Sequence, residues 1–304
     1  MVECGSFGSY RAFRIVSGEL ELRVCELGAS LLSMKFAGQE CVIGYDTPEG
    51  YEQGKNFIGM IAGRYANRIA RGEVSIDGTS YQLDRNDGNN HLHGGYPGFH
   101  RCHWAGEVVG ESAVRFTLHS PAGEAGYPGN VTATVTYRIE NGAVRLDLTG
   151  ETDAPTVFAP TTHSYFNLSG KENALDAALY IHAERRLPVD GELIPTGELA
   201  AVEGRYDFRT LRPIRGWYDD AFLLDGTHAC TVQDNGMEME IHTDYPALQL
   251  YTGEGLTPPH HPGEGFALEP ELCPDSPHHP DWAQPLLRPG KQWHKYIEYH
   301  FRKI

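Results

Sequence analysis

Residues 131–148 read VTATVTYRIENGAVRLDL, and this stretch decides the fold. Val131, Ala133, Val135, Tyr137 and Ile139 alternate with Thr132, Thr134, Thr136 and Arg138, and Val144, Leu146 and Leu148 resume the alternation after Asn141-Gly142. Period-two patterning puts one side of each segment on a core and the other toward solvent or a groove. An Asn-Gly pair between two such segments accepts the positive φ angles of the tightest hairpin turn, so two antiparallel strands are predicted here.

The same grammar recurs outward along the chain. Val74 and Ile76 lead into Asp77-Gly78, with Tyr81 and Leu83 beyond it. Asn235-Gly236 precedes Met237, Met239 and Ile241, which alternate with Glu238, Glu240 and His242. Methionines at alternate positions read as core filler rather than as a ligand set. Further Asx-Gly pairs stand at Asp87-Gly88, Asp190-Gly191 and Asp225-Gly226. No segment promises a helix longer than about two turns, and 173–183 is the best short helical candidate. Residues 45–55 and 257–265 read as surface loops near a groove. With no internal repeat and no low-complexity linker, the expectation is an all-β chain. It is a large antiparallel β-sandwich with an open groove, residues 1–304 forming a single domain.

Composition narrows the function classes. The 304 residues carry 25 Lys+Arg against 41 Asp+Glu, a net charge of −16, with no basic cluster. That balance argues against a nucleic-acid partner or an anionic membrane surface. No stretch approaches the roughly 20 apolar residues of a membrane span, and residues 1–10 lack the pattern of a secretory signal. The six cysteines are widely scattered, which reads as free thiols and a cytoplasmic address.

Common nucleotide-binding loops and the Gly-x-Ser-x-Gly elbow are absent. Three segments instead pack polar functional residues among glycines and aromatics. In 63–72, GRYANRIARG, the arginines Arg64, Arg68 and Arg71 with Asn67 offer hydrogen-bond forks for hydroxyls or carboxylates, the plainer reading being a solvated basic strand edge. In 89–95, NNHLHGG, His91 and His93 sit two apart, which on a strand aims both rings to one side as in metal sites. No supporting carboxylate or cysteine stands nearby, and Gly94-Gly95 suggests backbone lying close to something, such as a substrate. In 161–168, TTHSYFNL, His163 is either a proton donor or acceptor near neutral pH or a hydrogen-bonded core residue. Glu269, after the apolar run Phe266-Ala267-Leu268, becomes a usable base if partly buried. The loop pairs His260-His261 and His278-His279 read as solvated.

These segments, together with GYPG at 126–129, LQLYTG at 248–253, LEPE at 268–271, Pro274-Asp275 and LRPG at 287–290, resemble the aldose 1-epimerase (galactose mutarotase) family, in the family's order and over nearly the whole chain. The resemblance implies interconversion of the α and β anomers of free aldohexoses, with no cofactor and no metal. The partner it implies is a small-molecule aldose, with monomer and homodimer both open. It places the family's proton donor on His163 and its base on Glu269. The sugar-binding Arg and His fall on Arg68 and His93, the hydroxyl-binding Asp on Asp219, and a substrate contact on Gln249, with Asn67 a further contact. In relatives the Asp is usually followed by His, whereas Asp220 follows here, which leaves the Asp alignment open by one residue. Two other readings remain: an epimerase acting on hexose 6-phosphates, which calls for a basic cluster, and a non-catalytic carbohydrate-binding protein, which needs neither proton-transfer residue.

Overall fold

The computed structural model describes residues 1–304. Val131–Glu140 and Ala143–Thr152 pair antiparallel with Glu140 opposite Ala143. Asn141 and Gly142 close the turn with φ of 51° and 77°, the geometry their side chains tolerate. Two other hairpins close the same way, with Ile76 opposite Thr79 across Asp77-Gly78 and Asp234 opposite Met237 across Asn235-Gly236. Val131, Ala133, Val135, Tyr137 and Ile139 are all buried. A one-residue slip in register would turn that whole set to the other side, so the core fixes the pairing.

The first hairpin stands within a nine-stranded sheet. Its order is Ala105–Gly110, Ala113–Ser120, Val131–Glu140, Ala143–Thr152, Trp293–Lys303, Met237–Thr243, His228–Asp234, Ala178–Ile181 and Arg212–Pro213, every neighbour antiparallel. A six-stranded sheet runs Tyr165–Phe166, Phe266–Glu271, Ala247–Tyr251, Asp219–Leu223, Arg185–Leu187 and Ala200–Ala201. A five-stranded meander occupies the N-terminal part, from Val2–Phe7 to Gln39–Glu40.

One cluster of 63 buried residues joins all three sheets. Phe13 comes from the meander, Tyr137, Leu146, Ile241 and Tyr299 from the nine strands, and Leu248, Leu250, Phe266 and Leu268 from the six. Phe13 meets Phe116 at 5.7 Å and Phe166 meets Tyr299 at 5.6 Å between ring centres. Each fully buried large apolar side chain contributes about 1.5–3 kcal/mol, so this shared interior holds the layers face to face. Met237 and Met239 lie in it, as their alternation predicts. The result is the large antiparallel sandwich expected.

Three local expectations fail. Residues 173–183 are not helical: Leu175 and Asp176 turn, and Ala178–Ile181 is a strand on His228–Asp234. Leu179 and Ile181 are buried at alternate positions, so ladder bonds and burial override the helix propensity of the alanines. The 45–55 segment is not plain loop, since Pro48–Gln53 forms the one α-helix, started by proline in its first turn. Its Tyr51 is buried between Phe7 and Tyr45, at 5.6 and 5.2 Å. The loop histidines are not uniformly solvated either. His260 is buried against Tyr45 at 5.0 Å, and His278 Nδ1 lies 2.6 Å from Asp275. No helix is long and apolar enough to cross a membrane.

Candidate active site

The six-stranded sheet presents two different sides. Leu248, Leu250, Phe266 and Leu268 point into the core, so their neighbours Gln249, Tyr251 and Glu269 face outward into a cleft of about 490 Å³. Asn67, Arg68, His93, His163 and Asp219 line the same cleft, so the seven residues that the family resemblance implies as site residues lie together there. Phe57, Tyr165, Leu92, Leu193, Lys55 and Glu254 add to its walls. Sites for small molecules commonly fall at roughly 300–1,000 Å³.

Register explains the convergence. Glu269 lies directly opposite Gln249, and Gln249 lies opposite Ala221, which puts Asp219 on the diagonal. Gln249 Nε2 donates to Asp219 Oδ1 at 2.6 Å, leaving its buried Oε1 without a protein partner. Asp220 lies on the opposite side of its strand, 3.7 Å from Arg186. Of the two neighbouring aspartates, Asp219 is therefore the one that lines the cleft.

His163 sits between the short strands Thr161–Thr162 and Tyr165–Phe166, with its amide donating to Met60 O and its carbonyl accepting from Gly59, both at 2.9 Å. Gly59 is required, since its φ is 66° and a Cβ there would fall 2.1 Å from Leu31 O. The imidazole Nε2 lies 3.6 Å from Glu269 Oε1. Phe57 stacks on one side of the ring at 5.8 Å and Tyr165 lies at 5.0 Å. This apolar enclosure disfavours the imidazolium and pulls the His163 pKa down to about 4. The same burial, reinforced by Glu271 and Asp219 and opposed by Arg68, pushes Glu269 well above the usual carboxylate range. Glu269 Oε2 and His163 Nδ1 are buried and have no protein partner.

Arg68 and His93 are held by the pairing of Arg68–Ile69 with His91–Leu92. Arg68 Nε donates to Asp87 Oδ2 at 2.8 Å, and its Nη1 lies 3.8 Å from Asp219. The Asn67 amide donates to His93 Nδ1 at 3.1 Å, and the His93 amide donates to Asn67 O at 3.2 Å. An acceptor at Nδ1 puts the proton of the neutral ring on Nε2. Burial together with His163 and Arg68 keeps His93 neutral by pulling its pKa well below the ordinary value.

The expectation that His91 and His93 share one side fails. The strand ends at Leu92, and His93 has φ of 49°. His91 instead holds the Tyr127 hydroxyl at 2.6 Å, away from His93. Gly94 lies close to the protein's own backbone rather than to a ligand, for a Cβ there would fall 1.7 Å from Gly63 O. Within 63–72 the arginines separate. Arg68 lines the cleft, Arg64 is buried against Ser120, Pro128 and Gly129 outside it, and Arg71 alone is the exposed basic residue.

Sequence reasoning missed Glu271. It lies two residues past Glu269 on one strand and so on the same side, fully buried, accepting from Asn67 Nδ2 at 2.8 Å. Burial raises its pKa to about 8, against the Asn67 hydrogen bond and the pull of Arg68. A carboxyl whose folded pKa lies above its unfolded one binds its proton more tightly when folded. The stability it contributes is fully present below about 4.5 and is lost as pH rises toward about 8. Glu271→Gln keeps the acceptor for Asn67 and removes that titration. Urea unfolding from pH 5 to 9 should then show a shallower decline in stability than the parent protein. An unchanged slope would mean that Glu271 is already ionised at neutral pH.

Comparison with known proteins places the chain in a family. A family model described as aldose 1-epimerase matches residues 11–300. Aldose 1-epimerase of Escherichia coli is 36% identical, covering 90% of both chains. Galactose mutarotase of Bos taurus is 33% identical, covering 94% of this chain and 92% of its own. The crystal structure of an aldose epimerase homologue from C. elegans superposes with a TM-score of 0.93 at 25% identity, covering 97% of this chain and all of the other. The galactose 1-epimerase structure from Lactobacillus acidophilus gives 0.90 at 26% identity, covering all of this chain and 98% of its own. With sequence, family model and fold in agreement from end to end, this chain belongs to the aldose 1-epimerase family, and it is an isomerase.

Proposed function

We propose that the cleft interconverts the α and β anomers of free aldohexoses by acid–base ring opening and closing, with His163 serving the ring oxygen and Glu269 the C1 hydroxyl. The observation that carries this reading is the buried His163–Glu269 pair, 3.6 Å apart and both lining the cleft. Ring opening needs a proton delivered to the ring oxygen and another taken from the C1 hydroxyl. When His163 gives its proton and Glu269 takes one, the pair passes from imidazolium–carboxylate to imidazole–carboxylic acid. After rotation about C1–C2, closure on the other side of the aldehyde reverses both transfers. The pair carries one proton throughout.

The electrostatics of the site favour this cycle. Burial pulls His163 down and pushes Glu269 up, so the cleft favours the uncharged pair. That is the protonation state which accompanies the open-chain aldehyde. The enclosure by Phe57 and Tyr165 thus supports the high-energy intermediate rather than the closed sugars.

The remaining residues grip hydroxyls away from C1, which lets both anomers fit. Arg68, Asp219, Gln249 and the Nε2–H of His93 supply donors and acceptors, and Asn67 holds His93 and Glu271 in place. A free sugar suits this lining better than a sugar phosphate. The carboxyls Asp219, Glu254 and Glu269 face only Arg68 and Lys55 as cations, and Arg68 is already paired with Asp87.

Polarimetry on freshly dissolved α-D-galactose and α-D-glucose tests the proposal. Decay of rotation should accelerate with the protein and persist in EDTA. No acceleration with either sugar, alongside binding by calorimetry, would favour a carbohydrate-binding protein. Arg68→Ala and Asp219→Ala should raise KM by roughly tenfold to a hundredfold, since each removes hydrogen bonds to a charged group worth about 1.5–3 kcal/mol. A loss confined to kcat would move these two residues out of the binding role.

A further inference from the structure

A second cluster of ionisable side chains lies on the other side of the sandwich. Ile241, Ile297 and Tyr299 of the nine-stranded sheet point into the core, so the alternating residues Glu240, His242, Glu298 and His300 face outward. His242 pairs across the ladder with His228, and Glu240 pairs with His300. The rings of His228 and His242 lie 5.0 Å apart, and those of His242 and His300 lie 4.9 Å apart.

We propose that His228, Glu240 and His242 form a binding site for one divalent transition-metal ion of the zinc type, separate from the cleft. Their donor atoms all lie within 4.8 Å of one another. A tetrahedral ion with bonds of about 2.0–2.1 Å needs donors about 3.4 Å apart, a contraction that side-chain rotation of half-buried residues supplies. Two imidazoles with one carboxylate suit zinc in both softness and charge, leaving a fourth position for water. Two features go beyond a chance gathering of histidines. The Thr231 hydroxyl holds His228 Nε2 at 3.0 Å, orienting that ring. Glu240 forms no ion pair with Lys or Arg, its one ionic contact being His242 at 3.1 Å. The neighbouring Glu298 and Glu238, in contrast, are engaged by Arg145 and Arg302. The central carboxylate is the one left to a cation from solution.

Because the ligands come from two adjacent strands, a bound ion would clamp the sheet there. The test is calorimetric titration of EDTA-treated, buffer-exchanged protein with zinc chloride, with thermal unfolding in the same samples. One equivalent should bind and raise Tm. In His228→Gln/His242→Gln that equivalent and the Tm shift should both be lost, with Glu240→Gln as an independent variant should the double one fail to fold. Other His–carboxylate neighbours, at His278–Asp275 and in the cleft, also attract zinc. Stoichiometry unchanged in the variants would therefore place the ion elsewhere and overturn the proposal, and so would an absence of binding to the parent protein. The readouts are binding and Tm, so they stand or fall apart from the sugar chemistry.

Discussion

Glu269→Gln should lower the rate of anomer interconversion by about 10²–10⁴-fold, the usual contribution of one general acid–base group, while sugar binding and fold persist. Gln keeps the shape and an oxygen opposite Gln249 on the neighbouring strand, but it cannot take the C1 proton. His163→Asn should fall as far, and the double variant barely further, because the two groups move one proton as a unit. Calorimetric sugar binding by the inactive variants separates lost chemistry from a lost site. The pH profile adds a sign. Activity should fall on the acid side as the pair gains a second proton, resisted down to about 4 by the burial of His163. It should fall on the alkaline side as the pair loses its only proton, which burial and the carboxyls of Glu271 and Asp219 delay by holding Glu269 up. Glu271→Gln removes one of those like charges and should bring the alkaline limb to lower pH. A variant at Glu269 or His163 retaining more than about a tenth of the parent rate would remove that residue from its role.

The architecture was legible because local and global signals coincide. Each Asx-Gly pair flanked by alternation is a hairpin in the structure, and the alternation itself names the buried side. The misreadings have separate causes. Residues 173–183 look helical because alanine and leucine favour helix, yet Leu179 and Ile181 are claimed by the neighbouring strand. The pair His91 and His93 looks like one side of a strand because sequence does not show that the strand stops at Leu92.

Seven polar residues of the cleft were legible, several of them only through the family resemblance, and what tunes them was not. Glu271 was hidden behind Pro270, since proline in the middle of a strand argues against a ladder. The structure permits it because the flanking strand Tyr165–Phe166 pairs only with Phe266 and Ala267, so no ladder bond is lost at Pro270. Phe57 carries no sequence signal at all. It is a loop residue with φ of 55°, and it touches His93 and His100 as well as His163. A single aromatic residue in a turn-rich stretch gives no hint that three histidines will gather beneath it.

Arg64 shows how far residue type alone can mislead, and it yields the largest expected effect on stability. Arg64→Met should destabilise the fold by about 2–5 kcal/mol, because it leaves several acceptors without a donor, at about 1–3 kcal/mol for each buried one. The guanidinium is 2% exposed and sits against Tyr127 at 5.6 Å. Its Nε donates to Ser120 Oγ at 2.9 Å, Nη1 to Pro128 O and Gly129 O at 3.0 and 2.9 Å, and Nη2 to Ser120 O and Pro121 O at 2.9 and 2.8 Å. The fork thus recognises the protein's own carbonyls, tying the GYPG turn and the end of Ala113–Ser120 to the segment that leads into Asn67 and Arg68. Burial lowers its pKa to about 10, which still leaves it charged at neutral pH. Methionine fills much of the volume but strands four carbonyls, those of Ser120 and Gly129 buried and those of Pro121 and Pro128 partly so. Urea unfolding should show a lower midpoint at unchanged slope. Arg71→Ala, at the exposed arginine of the same segment, should stay within about 0.5 kcal/mol. Equal effects at the two positions would mean that the network around Arg64 relaxes onto water, and that the segment leading into Asn67 and Arg68 is held without it.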